Sequence, residues 1–300
     1  MAHIITNLKN TFKGGNAYIR LIFINVAIYV VGVLFSVVSQ LFKYDFSDIT
    51  SLFALPASFI RFFHQPWTII TYMFMHADLL HILFNMLWLY WFGNIFLYFF
   101  SGKHLRNLYL FGGICGGLLY MIAYNVFPLF TDQVAVATLV GASASVLAIV
   151  VATAYREPNY KVQLFLFGAV RIKYLALVVI LLDVMSVASN NAGGHIAHLG
   201  GALAGLWFAA RFGKGGDPTA WINYIIEGIS SLFQKKRWKR KPKMKVHYGS
   251  VTDREKEYDY NANKKAQSDE VDRILDKLKK SGYESLTTEE KKSLFDASKK

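Results

Sequence analysis

Three short runs of this sequence set hydrogen-bonding or nucleophilic side chains among long apolar stretches. The first is His76-Ala-Asp-Leu-Leu-His81-Ile-Leu-Phe-Asn85. His81 and Asn85 are four residues apart, so on a helix they share one face. Each can donate a hydrogen bond while neutral, and two convergent donors in a dry setting are what a developing oxyanion needs. The same pair would also serve as polar glue between helices. The second run is Gly141-Ala142-Ser143-Ala144-Ser145. Small residues let backbones approach closely, which makes a helix-packing face. A serine flanked in this way is also a candidate nucleophile whose backbone N–H lies open to an oxyanion, and composition leaves Ser143 and Ser145 equally eligible. The third run is Gly194-His195-Ile196-Ala197-His198-Leu199-Gly200-Gly201-Ala202-Leu203-Ala204-Gly205. Gly201 and Gly205 form a GxxxG stripe, and His198 lies on the same face one turn earlier, where another helix can come nearest. A small-residue face opposite, such as the one around Ser143, brings serine and histidine into hydrogen-bonding contact.

The elements that must position these residues follow from hydropathy. Of the 300 residues 54% are hydrophobic, and charges gather in short loops and after Lys214. A membrane span needs roughly 20 mainly apolar residues. Six segments satisfy or approach this, at about 18–42, 67–100, 107–130, 134–155, 174–190 and 193–212. The expected fold class is therefore all-α, a polytopic membrane protein with a soluble basic C-terminal tail. On this reading Ser143 lies roughly 12–15 Å into the fourth span, counted from Val134 at 1.5 Å per residue. Polar groups at that depth are costly and mark function. No cleavable signal peptide is evident, because the first fifteen residues are polar and the first apolar stretch is too long. The single Cys115 excludes a disulfide framework, a Cys-rich zinc site and a CxxC redox motif. Neither a cofactor nor a metal is expected.

Basic residues near span ends mark the cytoplasmic side. Lys9, Lys13 and Arg20 precede the first span, Lys103 and Arg106 follow the second, and Arg156, Lys161, Arg171 and Lys173 join the fourth to the fifth. The alternate loops are poorer in cations. Six spans with both termini cytoplasmic, in a bacterial cytoplasmic (inner) membrane, fit this distribution.

The chain divides into a membrane domain over 1–213, an interfacial and polybasic segment over 214–249, and a flexible tail with short helices over 250–300. Residues 217–234 alternate apolar and polar at helical spacing, as in a helix lying on the interface. Between Lys235 and Lys245 eight cations meet no acid, a pattern that binds anionic lipid headgroups; no nucleic acid is expected. Residues 250–267 read as polar and flexible, with helices at about 268–281 and 288–298. Gly282 is the expected stop of the first helix, and Thr287 with Glu290 the capping box of the second.

The combination His81-x-x-x-Asn85, Gly141-x-Ser143-x and Ala197-His198-x-x-Gly201-x-x-x-Gly205 resembles the rhomboid intramembrane serine proteases, in order and in helix placement, from Trp67 to about Gly205. The resemblance implies a six-helix rhomboid-like bundle with its active site open to the outer side. It implies Ser143 as nucleophile and His198 as general base, with His81, Asn85 and the Ser143 backbone N–H forming the oxyanion hole. It implies transmembrane protein substrates, cut near the outer end of a helix that must first unwind. Three positions depart from the family pattern. Ala144 stands where the family has Gly, Leu147 where many members have an aromatic residue, and Trp67-Thr68 where the family has Trp-Arg. No acidic third member is evident, and Asp183 is not assigned that role. His195, Asn190 and Asn191 are expected to line the cavity, and His76 to be structural. Two other classes are an inactive rhomboid-like client-binding protein, which should lack the serine or the histidine, and a small transporter, which should show paired intramembrane charges or an internal repeat.

Overall fold

The computed structural model describes residues 11–12, 14–43, 50–164, 168–233 and 251–298. The polybasic run Lys235–Lys245 and the lipid contact expected of it lie outside these residues. The chain forms two compact units, divided between residues 235 and 236.

The first unit opens with helix α1 (Ala17–Phe42), closed by Lys43 in the left-handed conformation. A short strand β1 (Leu55–Pro56) and two short helices, α2 (Phe59–His64) and α3 (Thr68–Thr71), lead to α4 (Leu79–Phe96) and α5 (Gly102–Val126). Strand β2 (Thr138–Leu139) then precedes α6 (Ser143–Arg156). A hairpin of β3 (Lys161–Leu164) and β4 (Gly168–Arg171) leads into α7 (Ile172–Met185), α8 (Ala192–Phe212) and α9 (Ala220–Phe233). Three of the described helices, α1, α4 and α5, are long and apolar enough to cross a bilayer by length and composition, and α6 is a shorter apolar helix.

The bundle is apolar on its outside. Val31, Leu34 and Leu41 on α1 and Leu177, Leu181 and Leu182 on α7 are exposed, whereas Asn25, Asn107, Thr153 and Asp183 are buried. That inversion of the usual soluble pattern is what a lipid surround selects.

Packing is closest where α8 meets α5 and α6. A Cβ built at Gly201 would overlap the carbonyl of Ala144, and one at Gly205 that of Ala148. The glycine stripe therefore faces α6 with backbone against backbone. Gly200 is turned by 100° or so onto α5, where its Cβ would lie 2.8 Å from Gly116 Cα.

Two expected spans differ in extent. The 67–100 segment is not one helix. Its chain is extended at Met75, and Asp78 caps α4 by accepting from His81 N at 2.8 Å. In the 134–155 segment the helix starts only at Ser143, so Ser143 is the first helical residue rather than a point 12–15 Å inside. Residues 137–141 are held by non-local pairing instead. Leu139 and Thr138 pair with Leu55 and Pro56, Ala57 N donates to Ala137 O at 3.0 Å, and Gly141 N donates to Tyr72 O at 2.9 Å. Gly141 makes the turn with φ +129°, a conformation that residues with side chains rarely adopt.

α9 matches the amphipathic segment expected at 217–234. It is tied to α5 by Arg106, which donates to Asn223 Oδ1 at 2.6 Å, and Asn107, which donates to Thr219 O at 3.2 Å.

In the second unit, α10 runs over Val251–Ser281 and α11 over Thr288–Ser298. The stretch 251–267, expected to be flexible, is helical. Its Lys, Glu, Gln and Ala residues are good helix formers, and high polarity alone does not prevent a helix. Gly282 ends α10 with φ +74°, and Thr287 and Glu290 exchange capping-box hydrogen bonds of 2.8 and 3.3 Å. The Lys277 ammonium, 2.9 Å from Glu290, holds that carboxyl below the usual glutamate range.

Candidate active site

A cavity of about 930 Å³ opens between α4, α6, α8 and the 137–140 segment. Ser143, His81, Asn85 and His198 all line it, as do Asn190, Asn191 and Leu147. The four residues singled out from sequence thus meet at one place, although they come from three helices.

Ser143 is at the first position of α6, half-buried, with Ala142 and Ala144 buried on either side. A helix start leaves its first N–H groups without intrahelical acceptors and carries the positive end of the helix dipole. The serine hydroxyl is therefore beside unspent backbone donors. Ser145 is fully buried, and its Oγ has no hydrogen-bond partner among the described residues. Of the two candidate serines only Ser143 reaches the cavity.

His81 lies in the first turn of α4, below the Asp78 cap. A Cβ built on Gly141 would be 2.8 Å from His81 Nε2 and 3.6 Å from Ser143 Oγ. The imidazole and the hydroxyl thus flank one point, kept open by the glycine. Asn85, one turn on, spends one amide hydrogen on His81 O at 3.0 Å and has a second to donate.

His198 and Ser143 are not directly hydrogen-bonded to each other. What holds His198 is Asp183, in the last turn of α7. Asp183 Oδ1 is 2.8 Å from His198 Nδ1 and 2.8 Å from His195 Nδ1. This corrects the expectation that the site has no acidic member. An ionised carboxylate only accepts, so with Asp183 charged each Nδ1 carries a proton. His198 Nε2 is then unprotonated and able to take one. His195 is not among the cavity-lining residues; it turns toward Asp183 instead. His76 is likewise drawn inward, its ring 5.1 Å from that of His81 and edge-on to it.

Asp183 was readable as a rare buried acid, but no spacing rule connects it to His198 across the turn between α7 and α8. The unusual anchor of the first loop is also visible. Trp67 Nε1 donates to Leu52 O at 2.8 Å, and Arg61 donates to Ala135 O at 3.1 Å.

A bundle of helices with an apolar exterior and a cavity where a serine hydroxyl, imidazoles and a carboxylate converge defines a helical membrane protein with a polar site enclosed between its helices. The family model of the Rhomboid domain matches residues 64–215, slightly over half of the chain, and the chain belongs to the rhomboid family. A second model, a family of unknown function (DUF6576), matches residues 253–300, the stretch that forms α10 and α11. The chain is 31% identical over 158 residues to RHOMBOID-like protein 12, mitochondrial, from Arabidopsis thaliana. That similarity covers 49% of this chain and 47% of the Arabidopsis protein, so the chain spans about half the length of this relative.

Proposed function

We propose that this protein is an intramembrane serine endopeptidase that cuts transmembrane helices of other membrane proteins near their outer end. The observation that carries the reading is the one cavity onto which Ser143, at a helix start, and His198, anchored at Nδ1 by Asp183, both open. Ser143 Oγ attacks the scissile carbonyl while His198 Nε2 takes its proton. The oxyanion that forms meets the Ser143 backbone N–H and the side chains of His81 and Asn85. His198 then protonates the leaving amine, and a water activated by the same imidazole hydrolyses the acyl-enzyme. Asp183 is a positioning residue: it keeps the Nδ1–H tautomer and stabilises the imidazolium.

In this reading α1, α4, α5, α6, α7 and α8 are six spans, with both termini on the cytoplasmic side of a bacterial inner membrane. The tail cations rest on anionic lipid. A substrate helix hides its carbonyls in hydrogen bonds, so Gly or Pro near the cut favours cleavage by easing its unwinding. An inactive client-binding role needs neither a serine nor a histidine on the cavity, and this chain has both there.

The direct test is labelling by a serine-directed fluorophosphonate in detergent. Wild type should label, and Ser143→Ala should not; equal labelling of the two would end the proposal. His81→Ala and Asn85→Ala should each lower kcat by about 10²–10³-fold, or about 2.7–4 kcal/mol per lost donor, with the protein still folded. Unchanged rates would return the pair to helix glue. Asp183→Asn should lower kcat by roughly 10²–10⁴-fold with little change in KM, because an amide favours the wrong imidazole tautomer. It should also alter the pH profile of kcat, which a purely structural role would leave in place.

A further inference from the structure

A carboxylate that only oriented His198 would need one imidazole, yet Asp183 Oδ1 receives two. His195 and His198 lie three residues apart on α8, their rings nearly perpendicular at 84° with centroids 5.9 Å apart. Both aim Nδ1 at the same oxygen. Asp183 is 4% exposed, and its other oxygen, Oδ2, is buried with no hydrogen-bond partner among the described residues. Two imidazole nitrogens and a carboxylate oxygen within 4.8 Å of one another form a donor set suited to zinc and its neighbours rather than to magnesium or calcium.

We propose that Asp183, His195 and His198 form a site for a divalent transition-metal ion, with zinc the best match, and that its occupation switches the protease off. The regulatory half rests on the function proposed above; the metal site itself does not. Tetrahedral zinc with bonds of 2.0–2.1 Å sets its ligands about 3.3 Å apart, so the 2.8 Å pairs must open by about half an ångström. The two imidazole nitrogens, which lie within 4.8 Å of each other, must settle at the same separation, an adjustment made by rotating the rings. The histidine side chains are 24% and 22% exposed, which leaves a path for the ion and for a water as fourth ligand.

Silencing follows from the tautomer. A metal on His198 Nδ1 takes the lone pair of that nitrogen, so the ring proton moves to Nε2 with no net proton released. Nε2 then carries hydrogen and cannot accept the Ser143 proton. The metal also takes the Asp183 oxygen that otherwise holds the productive tautomer.

The test separates binding from inhibition. Co²⁺ added to Ser143→Ala protein in detergent should give the visible absorption of a tetrahedral site at one equivalent. Adding His195→Ala to Ser143→Ala should abolish that absorption, as should competing Zn²⁺. In wild type, Zn²⁺ should suppress fluorophosphonate labelling and substrate cleavage, reversibly with a chelator. His195→Ala should keep at least a third of the metal-free activity and require ten-fold or more Zn²⁺ for the same suppression. Millimolar Mg²⁺ should do nothing. Absence of Co²⁺ absorption, or equal Zn²⁺ sensitivity in wild type and His195→Ala, would overturn the site. A failure of the protease reading shows separately, as absent labelling of metal-free wild type, and leaves the Co²⁺ spectrum to judge the site.

Discussion

Ser143→Ala is expected to remove cleavage of a model transmembrane substrate, while Ser145→Ala keeps most of it. Loss of a nucleophile costs on the order of 10⁶-fold in kcat, which in practice is background. The two serines differ by about 200° around the helix, and only Ser143 faces the cavity. Ser145 faces α5, where a Cβ on Gly112 would stand 3.5 Å from its Cα. Its buried hydroxyl has no partner among the described residues, so removing it leaves no other group stranded and is close to neutral for stability. Cleavage assays on both variants in proteoliposomes decide the matter. An inactive Ser145→Ala beside an active Ser143→Ala would mean that α6 is rotated from the orientation described.

The second large effect is expected at Gly201. A valine there drives its Cβ into the Ala144 carbonyl, with the carbonyl carbon only 2.8 Å away. The obstacle is backbone, so no side chain can swing aside, and α8 must move off α6. Overpacking of this kind costs typically 1–3 kcal/mol and occasionally more. Because Ala144 follows Ser143 directly, the same displacement separates the hydroxyl from His198. Gly201→Val should therefore lose both activity and thermal stability. His198→Ala should lose activity with little change in melting temperature, since Asp183 retains its bond to His195. Thermal melts in detergent beside a cleavage assay give the contrast. A stable, active Gly201→Val would contradict the close approach of the two helices.

Much of this arrangement is legible in the linear chain because helical spacing is local. His81 and Asn85 share a face by count alone, and the Gly201–Gly205 stripe does turn toward α6 as its spacing implies. What escapes is non-local. Residues 134–142 are apolar and small enough to read as helix, yet the backbone of Thr138, Leu139 and Gly141 pairs with Pro56, Leu55 and Tyr72, more than sixty residues away. Hydropathy sees the apolar run and not the pairing. Asp183 escapes for a related reason. Periodicity shows that it sits inside α7, but the angle at which α7 meets α8 decides which imidazoles it reaches, and no residue pattern reports that angle. In the tail, polarity suggests flexibility, but helix propensity is independent of burial.

The late start of α6 has a consequence for how the protein is made. Fourteen residues rise about 21 Å, well short of the roughly 30 Å hydrocarbon core. In the proposed six-span topology, this segment emerging alone from the insertion machinery would leave the backbone of 138–141 unpaired in lipid, at several kcal/mol for each unsatisfied group. In the described structure those groups pair with Leu55, Pro56 and Tyr72, on chain that is synthesised earlier. α6 should therefore wait at the edge of the bilayer until α5 and the first loop are in place. Its serine thus comes into position only in a largely assembled molecule, which for the proposed protease would delay cleavage until assembly is nearly complete.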